Sequence, residues 1–464
     1  MIDWDTLTPL TSLTHLDGRN ASKLGSLKPY FSEFAWMQTR LTVMTKYAIA
    51  LASSHGVGLT VSQARQCTAL YASFSPSDAQ EVTTIERTVN HDLKALELYL
   101  AASLKRRGLL RLIPYINLGL GSEDINSMAF ALLLDGSRDA VLIPEIKKIA
   151  HSLIEISQTH RDTMMIARTH AQPANITTFG KEIANTLSRL GDEMELLQSM
   201  KFQAKCSGEV GSYQAFMGLG KSFDAMIFCD RFIRSLGILP CPVSTQIAPY
   251  DTFIRYLQSL YRVNSILLNF VRDMWLYVLL GYLRVKKINA EVGSAGMPHK
   301  VNPIYFEGAE GGLEMANGMI ELFARKLPVN RLQRDFSDST MRRNIVLPLS
   351  YSLLSYQSIV EALNRIDVDT VAIQKDLASH AEVWTETVKA YGTTHGIVDM
   401  YERLKKATRG RVVSQKDLQE VIASLPLKQQ EQQELQKLCD GNNNPYPGRI
   451  VEEVIKRARR VFNV

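Results

Sequence analysis

Residues 183–197 decide the fold of this chain. They read Ile-Ala-Asn-Thr-Leu-Ser-Arg-Leu-Gly-Asp-Glu-Met-Glu-Leu-Leu. The large apolar residues of this stretch recur at spacings of four and three, which places them on one face of an α-helix. The same period recurs at 142–156 and at 349–363. Three such stripes predict long helices packed nearly side by side, and no alternating series of strand residues competes with them. The sequence therefore predicts an all-α fold with a bundle of long central helices.

The composition is that of a large chain with a sizeable core. It has 464 residues, of which 45% are hydrophobic and 22% charged. The net charge of +6 is modest, and the basic run at 456–460 lies on an amphipathic terminal pattern, which favours a solvated helix face or a subunit contact over nucleic-acid binding. The most apolar stretch, 266–283, contains Arg272 and Asp273, which favours a buried helix over a membrane span. Cysteines without C-x-x-C spacing indicate reduced thiols, a cytoplasmic protein and no zinc site.

The residues Gly-Ser-Ala-Gly-Met-Pro-His-Lys-Val-Asn-Pro at 293–303 indicate a catalytic loop. Its glycines allow motion and its prolines restrict it, so the loop can close into a defined shape. Ser294 could serve as a base, while Lys300 and Asn302 would stabilise negative charge on a carboxylate. A surface loop with glycines by chance is the alternative, but S-x-x-M-P-x-K-x-N-P is far more specific than a short glycine pattern.

Three further segments carry groups suited to acid catalysis and anion binding. They read Arg-Thr-His-Ala-Gln-Pro at 168–173, Ile-Glu-Arg-Thr-Val-Asn-His-Asp at 85–92 and Leu-Gln-Arg-Asp-Phe-Ser-Asp-Ser-Thr-Met-Arg-Arg-Asn at 332–344. Imidazole side chains exchange protons near neutral pH, and guanidinium groups beside hydroxyls make good phosphate cradles. The alternatives are structural or surface histidines and a solvated basic helix start.

Together these segments resemble the fumarase/aspartase superfamily of lyases, and Pro-His-Lys-Val-Asn-Pro at 298–303 is most similar to its adenylosuccinate lyase branch. The resemblance spans essentially the whole chain. It implies cofactor-free β-elimination, in which an N-succinyl compound is split into an amine and fumarate. It also implies a homotetramer of three-domain helical subunits, with the central helices in a shared bundle and each site built from three subunits.

The resemblance also implies roles for individual residues. Ser294 would remove a proton from carbon while His170 protonates the leaving nitrogen, and no metal is implied. Arg334, Ser339 and Arg343 would hold the phosphate of a nucleotide. The full set of substrate contacts carried over from the matching segments is Arg19, Asn90, His91, Asp92, Ser122, Thr169, Gln246, Lys300, Asn302, Arg334, Ser339 and Arg343.

Several positions depart from the family pattern. Asn117 and Gly121 replace a histidine and a threonine, Ala295 replaces a second serine, and Ala248 and Tyr250 replace an acid and a histidine. Each lost hydrogen bond to a charged group is worth roughly 1.5–3 kcal/mol, so rate or substrate could change. Three interpretations stay open: an adenylosuccinate lyase with a compensated pocket, a paralogue with another N-succinyl-type substrate, and a catalytically silent binding or assembly subunit.

Domain boundaries are predicted near residues 115 and 367, at a proline and at the end of the last apolar stripe. They give an N-terminal helical domain at 1–115, a central long-helix domain at 116–367 and a C-terminal helical domain at 368–464. The catalytic loop is predicted near 287–303. We expect no nucleic-acid or membrane partner.

Overall fold

The structure is a computed structural model that describes residues 8–288, 296–439 and 444–464. Helices dominate these residues. In chain order they are α1 Lys28–Phe31, α2 Glu33–Ser54, α3 Val61–Ala72, α4 Pro76–Val89, α5 Asp92–Arg106, α6 Ser122–Ser137, α7 Ile143–Thr159, α8 Phe179–Ser199, α9 Ala225–Ser235, α10 Asp251–Leu279, α11 Ile304–Lys326, α12 Ser337–Arg343, α13 Val346–Asn364, α14 Thr370–Ala378, α15 Thr385–Thr394, α16 Met400–Thr408, α17 Gln415–Ala423, α18 Gln429–Leu438 and α19 Tyr446–Phe462.

Strands are short and form two-stranded sheets in the described residues. They are β1 Met164–Thr169, β2 Gln172–Thr178, β3 Gln203–Ala204, β4 Leu239–Pro240, β5 Leu283–Val285 and β6 Ile366–Val368. β1 pairs with β2 and β5 with β6 in antiparallel fashion, whereas β3 and β4 are parallel. No described helix is both long and apolar enough to cross a membrane.

The three apolar stripes form long helices, as the sequence predicts. α8 and α13 cover two of them, and α7 covers the third except for Leu142, which lies in the π-helical turn just before it. The stripe residues of α8, from Ile183 to Leu197, are almost completely shielded from solvent. Burying a large aliphatic side chain contributes roughly 1.5–3 kcal/mol, so these stripes are a major source of stability. The all-α class is confirmed.

The β1–β2 hairpin is a feature that the sequence patterns did not reveal. Its tip residues, His170 and Ala171, have φ angles of 52° and 61°, the left-handed pair that defines a type I′ turn. Thr169 pairs with Gln172 across this two-residue turn. The hairpin lacked a recognisable signal because its strands do not alternate apolar and polar residues and its turn contains no glycine.

The described chain divides into two compact units. The first unit comprises residues 8–144, 196–262 and 315–354, and its core includes Leu41, Tyr47 and Leu51 of α2. The Tyr47 hydroxyl in this core donates a 2.6 Å hydrogen bond to the Leu118 carbonyl.

The second unit comprises residues 145–195, 263–288, 296–314, 355–439 and 444–464. Its C-terminal part has a hydrophobic cluster of its own, which includes Val388, Leu418 and Leu435. The division of the chain into three domains stays a prediction.

Candidate active site

The first unit contains a cleft of about 710 Å³, which is within the range expected for a small-molecule site. Two of the segments singled out in the sequence, 85–92 and 332–344, contribute to its lining, together with two further predicted contacts, Ser122 and Gln246. The predicted contacts that line it are Asn90, His91, Asp92, Ser122, Gln246, Arg334, Ser339 and Arg343. The fold therefore brings together eight of the predicted substrate contacts, although they lie between residue 90 and residue 343 in sequence.

The junction of α4 and α5 presents the first group of these residues. α4 ends at Val89 and is capped by Asn90, whose φ of 52° is one that asparagine tolerates better than most residues. His91 then caps α5, because its Nδ1 atom accepts a 3.2 Å hydrogen bond from the Lys94 amide. An accepting Nδ1 leaves the hydrogen of the neutral ring on Nε2. His91 therefore has one nitrogen committed to the backbone and one donor available at the cleft.

Asp92 is an anion held between two arginines. Its Oδ2 atom accepts a 2.8 Å hydrogen bond from Arg40 and lies 3.6 Å from Nη2 of Arg343. Burial alone would raise the pKa of Asp92, but Arg40 and Arg343 lower it below its ordinary value. A carboxylate with these neighbours is better placed to orient Arg343 than to accept an anionic ligand directly.

The arginines of the segment 332–344 differ in how fully nearby carboxylates neutralise their charge. Arg342 makes two hydrogen bonds to Glu123, of 2.8 and 3.2 Å, and both side chains are buried. Arg334 lies 3.2 Å from Glu123 and 3.2 Å from Asp338. By contrast, the side chain of Arg343 is 64% exposed. Arg343 is therefore the most available cation of this segment.

Glu123 and Arg342 are cleft residues that sequence reasoning missed. Burial alone would raise the pKa of Glu123, but Arg342 and Arg334 lower it to about 2. Glu123 directly follows Ser122, and Arg342 directly precedes Arg343, so both are sequence neighbours of predicted substrate contacts. The sequence gives no sign that Glu123 and Arg342 are in contact, because they belong to segments that are far apart along the chain.

Tyr250, one of the departures from the family pattern, supports the same arginines. Its hydroxyl donates a 2.8 Å hydrogen bond to Oδ2 of Asp338, while Oδ1 of Asp338 accepts from Arg334 at 3.2 Å. Burial and then the nearby Asp338 raise the pKa of Tyr250, with Arg342 acting in the opposite direction. The tyrosine therefore stays a neutral donor and fixes the carboxylate that holds Arg334.

Gly121, a second departure, makes room for Glu209. A β-carbon on Gly121 would lie 2.8 Å from the Glu209 carboxyl carbon and 3.0 Å from the Glu209 α-carbon. Glu209 and Ser122 both line the cleft. The space left by the missing threonine side chain is thus filled in part by an acid, and a hydroxyl donor has been exchanged for a carboxylate.

The loops that carry Gly121 and Glu209 are fixed by a buried ion pair. Asp124 accepts hydrogen bonds from the amides of Gly121 and Ser207, at 2.7 and 2.8 Å, and lies 3.0 Å from Nζ of Lys205. Both charged side chains are fully buried. Lys205 also donates to the carbonyl of Gly208 at 2.7 Å. With three donors on one carboxylate, this wall of the cleft is preorganised.

The other predicted residues lie elsewhere. Arg19 is exposed and is not among the residues that line the cleft. Thr169 and His170 belong to the second unit, where both are exposed at the tip of the β1–β2 hairpin. Lys300 and Asn302 also belong to the second unit, just before α11.

Ser294 and Ala295 lie outside the described residues. Within the described residues, no group of three or more His, Cys, Asp or Glu side chains could hold a metal ion.

Family models match most of the chain. A model described as lyase matches residues 26–318, and one described as adenylosuccinate lyase C-terminal matches residues 330–442. Curated relatives are similar over nearly their whole length. The chain is 37% identical to adenylosuccinate lyase of Legionella pneumophila (strain Corby), covering 93% of this chain and 96% of that protein. It is 35% identical to adenylosuccinate lyase of Escherichia coli (strain K12), covering 97% and 99%.

Solved structures share the fold at lower sequence identity. 3-Carboxy-cis,cis-muconate lactonizing enzyme from Pseudomonas putida superimposes with a TM-score of 0.74 at 20% identity, covering 95% of this chain and 98% of that one. Fumarate lyase from Mesorhizobium sp. BNC1 superimposes with a TM-score of 0.74 at 19% identity, covering 93% and 97%. At this identity the likeness concerns the fold alone.

Proposed function

The chain belongs to the adenylosuccinate lyase family, and on that premise we propose that it is a carbon-nitrogen lyase that splits adenylosuccinate into AMP and fumarate in purine nucleotide biosynthesis. The enzyme would catalyse the same elimination on the succinylated imidazole carboxamide nucleotide. The family relationship favours this function over a paralogue with another substrate and over a silent subunit.

The observation that supports nucleotide binding is the composition of the cleft in the first unit. Arg343 offers a largely exposed guanidinium there, and Ser339 lines the same wall. A phosphate takes charge-assisted hydrogen bonds from such groups, and each is worth roughly 1.5–3 kcal/mol. His91 adds an Nε2 donor at the α4–α5 junction, which suits a carboxylate or a phosphate oxygen.

The proposed reaction is an acid/base β-elimination. Ser294 removes a proton from the succinyl carbon beside a carboxylate, the carbon-nitrogen bond breaks, and His170 delivers a proton to the departing nitrogen. Lys300 and Asn302 stabilise the negative charge that accumulates on the carboxylate between the two steps. A serine hydroxyl is a weak base, so the loop at 293–303 must close and desolvate it.

We propose that the active form is a homotetramer with each site shared between subunits. Large apolar side chains stand exposed near the C-terminal end of α10, including Trp275, Leu276 and Leu279. Exposed apolar groups clustered on one helix are typical of an assembly surface. Light scattering of the purified protein tests this, and a monomer at micromolar concentration would contradict it.

An absorbance assay for fumarate release tests the activity. It is run separately on adenylosuccinate and on the succinylated imidazole carboxamide nucleotide. We expect turnover of both, and we expect Ser294→Ala and His170→Ala each to abolish nearly all of it while the oligomer stays intact. Normal rates in either variant would reject that assignment. Turnover of neither substrate by the wild-type protein would reject the proposed function.

A further inference from the structure

The side chain of Arg168 connects the His170 hairpin to helix α14. Arg168 is the penultimate residue of β1, two positions before His170. Its Nη2 atom donates to Oδ2 of Asp376 at 2.6 Å, and its Nη1 atom donates to the Tyr282 hydroxyl at 2.8 Å. Tyr282 in turn donates a short hydrogen bond to the same carboxylate oxygen. The three groups thus form a closed triangle of charge-assisted hydrogen bonds.

The triangle is rigid on the side away from the hairpin. Tyr282 is buried, its ring is stacked on Tyr277, and its carbonyl accepts a 2.8 Å hydrogen bond from the Asp369 amide at the start of α14. Burial alone would raise the pKa of Asp376, but Tyr282 and Arg168 lower it below its ordinary value. Asp376 therefore stays ionised at neutral pH and keeps its hold on Arg168.

The second strand of the hairpin has a corresponding anchor. Asn175 of β2 donates a short hydrogen bond to Glu386 of α15, and β2 also packs on residues 381–384. Glu382 in that segment accepts from the Val413 amide at 3.0 Å and from His380 at 2.7 Å. Both strands are therefore attached to one stretch of chain, residues 370–386, which nothing in the proposed chemistry uses.

The turn at the tip explains why such anchors are needed. His170 and Ala171 both adopt left-handed backbone conformations, which cost roughly 1–2 kcal/mol for each residue that is not glycine. A turn under this strain persists only where its surroundings fix it. A general acid must also be held close to its productive geometry, since small displacements reduce the rate strongly.

We propose that Asp376 and Tyr282 are positioning residues for catalysis, which hold Arg168 and thereby set the place of the His170 imidazole at the hairpin tip. This inference rests on the proposed role of His170. The segment 370–386 then acts as a rigid support for the hairpin that carries the acid.

The test is a steady-state comparison of Asp376→Asn with wild-type enzyme. The asparagine keeps the shape of the side chain and loses the charge that holds Arg168. We expect kcat to fall about tenfold or more, because the acid is displaced. We expect KM to stay near the wild-type value, because the proposed phosphate contacts Arg334, Ser339 and Arg343 line the cleft of the first unit and are unchanged in this variant. Hydrogen exchange of a peptide spanning 164–178 should become faster.

Asp399→Asn is the matched control. Asp399 accepts a 2.8 Å hydrogen bond from Arg403 in α16, so the same chemical change removes an ion pair remote from the hairpin in sequence. We expect its kcat and its hairpin exchange to match the wild type. Tyr282→Phe removes a single hydroxyl, keeps the ion pair and should give a smaller fall in kcat in a folded protein.

The His170→Ala background separates this inference from the proposed function. If Asp376 acts through His170, Asp376→Asn should not lower the residual rate further in that background. If His170→Ala is inactive but Asp376→Asn and Tyr282→Phe both turn over at the wild-type rate, the positioning role is wrong and the proposed function stands. If His170→Ala is fully active, the proposed function itself fails.

Discussion

Glu123 and Arg342, which are 219 positions apart in sequence, form a buried pair joined by two hydrogen bonds at the wall of the cleft. Glu123 neutralises Arg342 in the arginine-rich segment 332–344, and Arg343 remains as the exposed cation of that segment. A buried pair of this kind is often no more stable than apolar packing in its place, yet removing one partner is costly because the other charge stays buried.

The Glu123 carboxylate should give the protein an acid-dependent stability. Its pKa is about 2 when folded and 4.5 ordinarily, so its contribution is complete above pH 4.5 and is lost as the pH falls towards 2. That contribution is on the order of 3 kcal/mol. We expect Glu123→Gln to lower the melting temperature at pH 7 and to flatten its dependence on pH below 4.5. Glu33→Gln, an exposed acid of the same cleft, is the control and should change neither.

Arg343 should contribute mainly to substrate affinity. Because it is the exposed arginine at the cleft, Arg343→Gln removes charge-assisted hydrogen bonds to the proposed phosphate. At roughly 1.5–3 kcal/mol, we expect KM to rise about 10- to 100-fold with a smaller change in kcat. Arg331→Gln is the matched control, since Arg331 is exposed nearby in sequence and does not line the cleft. Equal KM values for the two variants would contradict the assignment.

Ala171→Gly should stabilise the hairpin turn. Ala171 has a φ of 61°, where a β-carbon costs roughly 1–2 kcal/mol, although the added freedom of glycine in the unfolded chain offsets part of this gain. We expect the free energy of unfolding to rise by about 0.5–1 kcal/mol, measured by chemical denaturation. Ala167→Gly within β1 is the control and should destabilise the protein. A loss of stability in Ala171→Gly would show that the turn is not strained.

Gly121 and Glu209 should behave as a coupled pair. Gly121→Ala places a methyl group 2.8 Å from the Glu209 carboxyl carbon, so we expect a stability loss of roughly 1–3 kcal/mol from overpacking. In a Glu209→Ala background the carboxylate is gone and only the backbone approach of 3.0 Å remains, so the loss should be smaller. A double-mutant cycle measures the difference. Additive losses would mean that the two residues do not share this space.

The departures from the family pattern show what sequence comparison could and could not predict. The missing threonine at Gly121 was visible in the sequence, but the acid that occupies its space comes from a loop beginning more than 80 positions later. The role of Tyr250 likewise depends on the tertiary structure, in which its hydroxyl donates a hydrogen bond to Asp338. The hairpin at 164–178 was also not predicted, because its strands do not alternate apolar and polar residues and its left-handed tip contains no glycine.

The sequence by itself determined the long helices and the segments that carry the chemistry. Helical periodicity and motif spacing are short-range properties, since they depend on neighbours within a few turns of the chain. Tertiary structure alone decided which charges are neutralised and which remain exposed, because ion-pair energies depend on distance and burial in space. Arg334, Arg342 and Arg343 look alike in sequence, yet only the positions of Glu123, Asp338 and Asp92 distinguish a structural guanidinium from an accessible one.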